Sequence, residues 1–128
     1  MIVEDSRSTT ATLCDWLETI GGFHVIGTAV SEMEATDWLQ THRGSWDVVL
    51  LDLMIDGGSG FNLITRAKQS SDVGRAIVFS AYATPAVRER CIELGAEAAF
   101  DKSESDRLLT YLENLKAGNS EGSAQRPH

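Results

Sequence analysis

Cysteine is scarce in this chain, and so is positive charge. The 128 residues include two cysteines, Cys14 and Cys91, far apart and outside any CxxC pattern. His24, His42 and His128 stand in three separate contexts, none at metal-ligand spacing, and no role is assigned to them. These absences exclude a disulfide framework and a thiolate–imidazole metal centre. Each cysteine reads as a small hydrophobe on a helix rather than a redox group. Lysine and arginine number 11 against 19 acidic residues, giving a net charge of -8, which argues against a primary role on nucleic acid. No apolar run approaches the roughly 20 residues of a bilayer span. The opening "MIVEDS" lacks the basic-then-apolar layout of a secretory signal. The expectation is a cytoplasmic chain without membrane insertion. No internal repeat is visible, and the length suits one core.

What is present is alternation between strand-like and helix-like periods. "MIV" opens as a strand, and Leu13, Trp16, Leu17 and Ile20 then recur at helical spacing up to Gly21-Gly22. "FHVIGTAV" predicts the second strand; Ser31 followed by Glu34 predicts a capped second helix carrying Ala35, Trp38 and Leu39. "WDVVLLD" is the third strand, and Phe61, Ile64 and Ala67 mark the third helix. "RAIVFSA" predicts the fourth strand, Val87, Cys91 and Leu94 a helix closed by Gly95, and "EAAF" a short fifth strand. Leu108, Leu109, Leu112 and Leu115 complete the last helix. Such βα alternation implies an α/β fold, a five-stranded parallel sheet with helices on both faces. The economical strand order is the flavodoxin-like 2-1-3-4-5. Residues 1–117 form the expected domain, and "GNSEGSAQRPH" at 118–128 reads as a flexible tail. Trp16, Trp38 and Trp46 are expected in the core or at its rim, with Met33 and Met54 as gap-fillers.

The stretch "VVLLDLMIDGGSG" drives four aliphatic residues straight into Asp52 and then into glycines. A run of this kind reads as a strand buried on both faces, and ligand sites in open α/β sheets lie at the carboxyl ends of strands. The first strand ends at Glu4-Asp5, beside the third in a 2-1-3 order, so three carboxylates converge. Crowded carboxylates disfavour one another's ionisation unless a cation is near, and oxygen-only donors suit Mg²⁺. The fourth strand ends at Ser80, a hydroxyl donor, and the fifth leads into Lys102, a mobile positive charge. Together these groups suit phosphoryl transfer to a nucleophilic aspartate. Singly each has a plainer use: Asp5 and Ser6 as helix caps, and Asp52 and Asp56-Gly57-Gly58 as turn residues.

The ordered set "VEDS", "LLDLMIDGGSG", "VFSAY" and "FDKS" resembles the receiver domain of bacterial two-component response regulators, from Ile2 to about Leu115. The resemblance implies that Asp52 accepts a phosphoryl group from a histidine kinase or histidine phosphotransfer protein. It implies Mg²⁺ held by Asp5, by Asp52, by Glu4 through water and by the backbone carbonyl of Met54, with Ser80 and Lys102 binding the phosphoryl group and reporting its arrival. It places a downstream protein target on the fourth helix, fifth strand and fifth helix, with Arg88, Arg90 and Glu93 as exposed candidates, and kinase contact on the first helix. The chain would then be no enzyme beyond its own phosphorylation and dephosphorylation.

Departures from the family pattern carry expectations of their own. Only Met1 to Val3 precede the acidic pair, a short central strand. The aromatic switch position holds Ala99, and the adjacent Phe100 should face the other way. Asp56 stands where proline is usual, and Ser103 follows Lys102 where many receivers carry proline, leaving that bond's isomer open. Met54 and Tyr82, flanking the site, offer no acid or amide to orient water, so slow self-hydrolysis is expected. Three alternatives stay open: a pseudo-receiver scaffold working without phosphorylation, a receiver cut from a longer DNA-binding regulator, and a haloacid-dehalogenase-type phosphatase. The last wants a second acid where Met54 stands.

Overall fold

The computed structural model describes residues 1–55 and 57–125, with side chains through Lys116. Asp56 and His128 lie outside the described residues. In chain order the elements are β1 (Ile2–Val3), α1 (Arg7–Ile20), β2 (Thr28–Ala29), α2 (Glu32–Thr41), β3 (Val48–Leu51), β4 (Met54–Ile55), β5 (Gly58–Ser59), α3 (Gly60–Ser70), β6 (Arg75–Ser80), α4 (Pro85–Leu94), β7 (Ala98–Asp101) and α5 (Ser105–Gln125). Five strands form one sheet in the order β2-β1-β3-β6-β7, every pair parallel. This is the expected 2-1-3-4-5 topology once the small β4–β5 hairpin is set aside. That hairpin pairs Met54 with Ser59 and Ile55 with Gly58, where the sequence signals only a turn.

Helix starts follow the capping residues. The hydroxyls of Ser6, Ser31, Ser59 and Thr84 accept from the first-turn amides of α1, α2, α3 and α4, respectively. These bonds satisfy donors that a helix start leaves free. α1 stops at Gly21 and α4 at the left-handed Gly95, φ 115°, a conformation that costs glycine nothing. The backbone of α5 continues to Gln125, past the boundary at residue 117 drawn from composition. Apolar spacing ends at Leu115, but an established helix propagates on its own hydrogen bonds.

Strand side chains alternate between two helical layers. Val3, Val49, Leu51 and Val78 face a cluster with Ala35 and Leu39 of α2, Leu63, Ile64 and Ala67 of α3, and Cys91 of α4. Ile2, Leu50, Ile77 and Phe79 face Leu13 and Leu17 of α1 and Leu108 and Leu112 of α5. Trp46 is buried, its indole N–H donating to Ser70 Oγ at 2.9 Å, and Ser70 donates on to the Leu39 carbonyl at 2.7 Å. Trp16 meets Phe79 edge-on, and Trp38 stacks on His42. Met33 and Met54, expected as gap-fillers, are instead 76% and 54% exposed; both lie on the strand-end side, where no layer covers them.

The largest departure concerns the second strand. Phe23–Val30 has the composition of a strand, yet only Thr28–Ala29 is one. A strand exists only where a ladder holds it, and β1 offers two residues, with Ile2 opposite Thr28 and Val3 opposite Ala29.

Candidate functional site

Three strand ends meet around Lys102. Glu4 follows β1, its amide donating to the Ala29 carbonyl at 3.0 Å, and Asp52 follows β3, its amide donating to Val3 at 3.0 Å. The ladder therefore fixes both backbones before any side-chain bond forms. Lys102 follows β7, and its amide donates to the Ser80 carbonyl at 3.1 Å. Its ammonium lies 2.6 Å from Glu4 Oε1 and 2.8 Å from Asp52 Oδ2. The remaining carboxylate oxygens accept backbone amides: Glu4 Oε2 from Ser6 at 3.1 Å, and Asp52 Oδ1 from Met54 at 3.1 Å. Ser80 is fully buried, and its hydroxyl accepts from the Tyr82 amide at 3.3 Å. That leaves the hydroxyl proton free to donate elsewhere.

The electrostatics follow from burial. Glu4 and Asp52 are 3% and 6% exposed. Desolvation pushes the Glu4 carboxyl above its ordinary range, against the pull of Lys102 and the Ser6 amide, and the neighbouring Asp5 pushes it further up. Burial alone would lower Lys102, but its bonds to Asp52 and Glu4 hold its pKa above the ordinary 10.5. Two buried carboxylates thus share one ammonium, with the exposed Asp5 at the rim.

Does this donor set fit Mg²⁺? Among the described residues, no three acidic, histidine or cysteine side chains are grouped as a cage. Mg²⁺ does not need one: it retains water and takes one or two carboxylates. The pocket offers hard oxygens in excess of the single positive charge, so its residues fit the ion.

Several supports escaped the sequence. Glu32, at the start of α2, accepts the Ser59 amide at 2.8 Å and so pins the hairpin after Asp52. Gly60 packs so tightly there that a Cβ would lie 2.4 Å from the Asp52 carbonyl oxygen and 2.6 Å from Leu53 Cα; "GGSG" was its visible signal. Arg88, expected to be exposed, is half-buried. It donates to the Ala83 carbonyl at 2.7 Å and pairs with Glu104, which accepts the Asp101 amide at 2.9 Å. That pair ties the loop after Ser80 to the loop after Lys102. Arg90 and Glu93 are exposed and pair with each other.

Ala99 packs toward the α2–α3–α4 layer, whereas Phe100 packs in the other layer against Tyr111, with centroids 5.5 Å apart. Ring and Ser80 are therefore on opposite faces, as strand alternation requires. The Lys102–Ser103 bond is trans, there being no cis peptide among the described residues.

The sequence matches the response regulator receiver domain over residues 1–113. The chain belongs to that family. Its signal receiver relative from a DNA-binding response regulator of Colwellia psychrerythraea 34H is 30% identical, with a TM-score of 0.75 over 89% of this chain and 94% of that one. A CheX–CheY–BeF3–Mg²⁺ complex from Borrelia burgdorferi, 23% identical, shares the fold, with a TM-score of 0.75 over 87% and 86% of the respective chains. A cyclic di-GMP phosphodiesterase of Thermotoga maritima is 28% identical over 85% of this chain, which spans only 28% of that relative's length. This receiver is accordingly a phosphoacceptor unit of two-component signal transduction, whose interactions respond to phosphorylation.

Proposed function

We propose that Asp52 is the phosphoacceptor, and that Ser80 and Lys102 bind the phosphoryl group it carries. The observation that carries this reading is Lys102, bridging Asp52 and Glu4 from a third strand end. Asp52 Oδ attacks phosphorus in line as the bond from phosphorus to the donor's imidazole nitrogen breaks, and that nitrogen keeps the electron pair. Lys102 then moves from carboxylate to phosphoryl oxygen, and the free Ser80 proton is donated to another. Mg²⁺ would be held by Asp5, Asp52, the Met54 carbonyl and, through water, Glu4, and would neutralise charge on the transferring group. The relative from Borrelia burgdorferi carries Mg²⁺ beside BeF3, which supports this choice of ion.

The donor is a histidine kinase or histidine phosphotransfer protein meeting the first helix, and the target is a protein meeting α4, β7 and α5. The chain works in the cytoplasm, binds no nucleic acid itself, and catalyses only its own phosphorylation and dephosphorylation. Residues 118–128 act as a tail beyond the receiver proper. A second reading, a receiver within a longer DNA-binding regulator, is favoured by the relative from Colwellia psychrerythraea.

Intact-mass spectrometry after incubation with Mg²⁺ and acetyl phosphate tests the assignment. One phosphate adduct is expected in the parent and none in Asp52→Ala or in chelator. An adduct retained by Asp52→Ala, or none in the parent, overturns it.

A further inference from the structure

The hairpin that follows Asp52 is small and stands apart. β4 and β5 have two residues each and join no strand of the main sheet, and a two-stranded hairpin by itself is marginal in water. What it presents depends on its pairing. Met54 lies opposite Ser59, and the Gly60 amide donates to the Leu53 carbonyl at 3.0 Å. That bond makes Met54 and Ser59 a non-hydrogen-bonded pair, so their main-chain groups point outward from the two edges of the hairpin.

The two edges have different neighbours. From the β4 edge the Met54 amide donates to Asp52 Oδ1 at 3.1 Å. The Met54 carbonyl projects from that same edge, because the N–H and C=O of one strand residue point the same way. From the β5 edge the Ser59 amide donates to Glu32 Oε1 at 2.8 Å. Glu32 is the first residue of α2, a helix fixed by its Ser31 cap and by buried Ala35 and Leu39. Its other oxygen accepts from Asn62 Nδ2 at 3.5 Å. Gly58 leaves room for this grip: a Cβ there would collide with Glu32 Oε1 and lie 2.5 Å from Glu32 Cβ. Thus α2 holds one edge of a hairpin whose opposite edge faces the phosphoacceptor.

On the reading above that Mg²⁺ takes the Met54 carbonyl, we propose that Glu32 is a positioning residue for the cation: by fixing the Ser59 edge it sets the Met54 carbonyl on the other edge, and so makes the site select Mg²⁺ over Ca²⁺. The two ions differ in what they demand. Mg²⁺ requires near-ideal octahedral geometry from close ligands, whereas Ca²⁺ accepts longer bonds and irregular shells. A carbonyl on a loosened hairpin still serves Ca²⁺ but penalises Mg²⁺. A staple that acted on stability alone would not separate the ions.

The test is titration of the ¹⁵N-labelled chain with MgCl₂ and, separately, with CaCl₂, following the Asp52 and Met54 amides, with a melting curve for each variant. Glu32→Ala should weaken Mg²⁺ binding roughly tenfold, the lower end of what supports outside a ligand shell contribute, and leave Ca²⁺ nearly unchanged. Glu32→Gln keeps an oxygen for the Ser59 amide and should retain most of the Mg²⁺ preference. Gly58 is not left-handed, so Gly58→Ala is compatible with its backbone; it displaces Glu32 without removing its charge and should reproduce the Glu32→Ala result. The proposal falls if Glu32→Ala weakens both ions equally or neither, if Glu32→Gln behaves like Glu32→Ala, or if Gly58→Ala keeps the preference. Each of those outcomes leaves the Mg²⁺ site itself standing. That site fails, and the proposal with it, if the parent shows no saturable Mg²⁺ shift or if a Glu4→Gln, Asp52→Asn variant binds Mg²⁺ as tightly as the parent.

Discussion

Lys102 has two duties that pull apart. At rest it neutralises Glu4 and Asp52 together; under the proposed assignment, the new phosphoryl oxygens would need it in the phosphorylated chain. Its raised pKa keeps it charged for both. Once formed, the acyl phosphate is removed by water, and water needs orienting. Met54 and Tyr82 are both more than half exposed and offer no acid or amide for that work. Replacing Met54 with Asn and Tyr82 with Glu should therefore speed phosphate loss by roughly tenfold or more. Decay of the adduct mass after acetyl phosphate is removed measures this, and an unchanged half-life rejects it. At this scale the strand-end positions of Asp52, Ser80 and Lys102 were legible because each closes or follows an apolar run. Glu32 and Arg88 were not, because a charged residue on a helix carries no mark of its partner. Glu32 meets Ser59 across 27 positions and Arg88 meets Glu104 across 16.

Elements are joined by a few polar bridges that lend themselves to testing. Ser70 links α3 to α2 through the Leu39 carbonyl and to Trp46 ahead of β3. Ser70→Ala would strand a buried indole N–H and should cost about 1–3 kcal/mol, read as a lower urea midpoint. The loop between β7 and α5 is held by carboxylates. Asp101 accepts the amide and then the hydroxyl of Ser103, and Glu104 accepts the Asp101 amide and pairs with Arg88. Both pKa values lie below their ordinary 3.8 and 4.5. With folded values depressed, the unfolded chain binds more protons in that interval. The stabilisation is therefore complete above those ordinary values and is lost as pH falls through the folded ones. Glu104→Gln should flatten the acid limb of a denaturation series taken from pH 6 to pH 3; an unchanged limb would remove the latch from the account. Helix positions were readable from caps and periodicity. The β4–β5 hairpin and the shortened β2 were not, since each depends on what lies alongside.

Across the whole molecule, an excess of acidic groups converges on a pocket with one ammonium, in a chain of net charge -8. Anything that binds only the folded state adds stability by mass action, about 2.7 kcal/mol at a hundredfold excess over its Kd. Mg²⁺ should accordingly raise the melting temperature by several degrees in the parent, and by little in a Glu4→Gln, Asp52→Asn variant; equal shifts would place the ion elsewhere. The same wholeness limits what a sequence can tell. Period-two and helical apolar patterns are local, so they determined the five βα units, the parallel sheet and the residues at each strand end. Strand pairing and side-chain partnership are not local. Only the packed structure decided that Phe23–Ile26 finds no ladder, because β1 is too short to supply one. It likewise decided that one lysine serves two buried carboxylates, because Glu4, Asp52 and Lys102 meet only when β1, β3, β6 and β7 are ordered in one sheet.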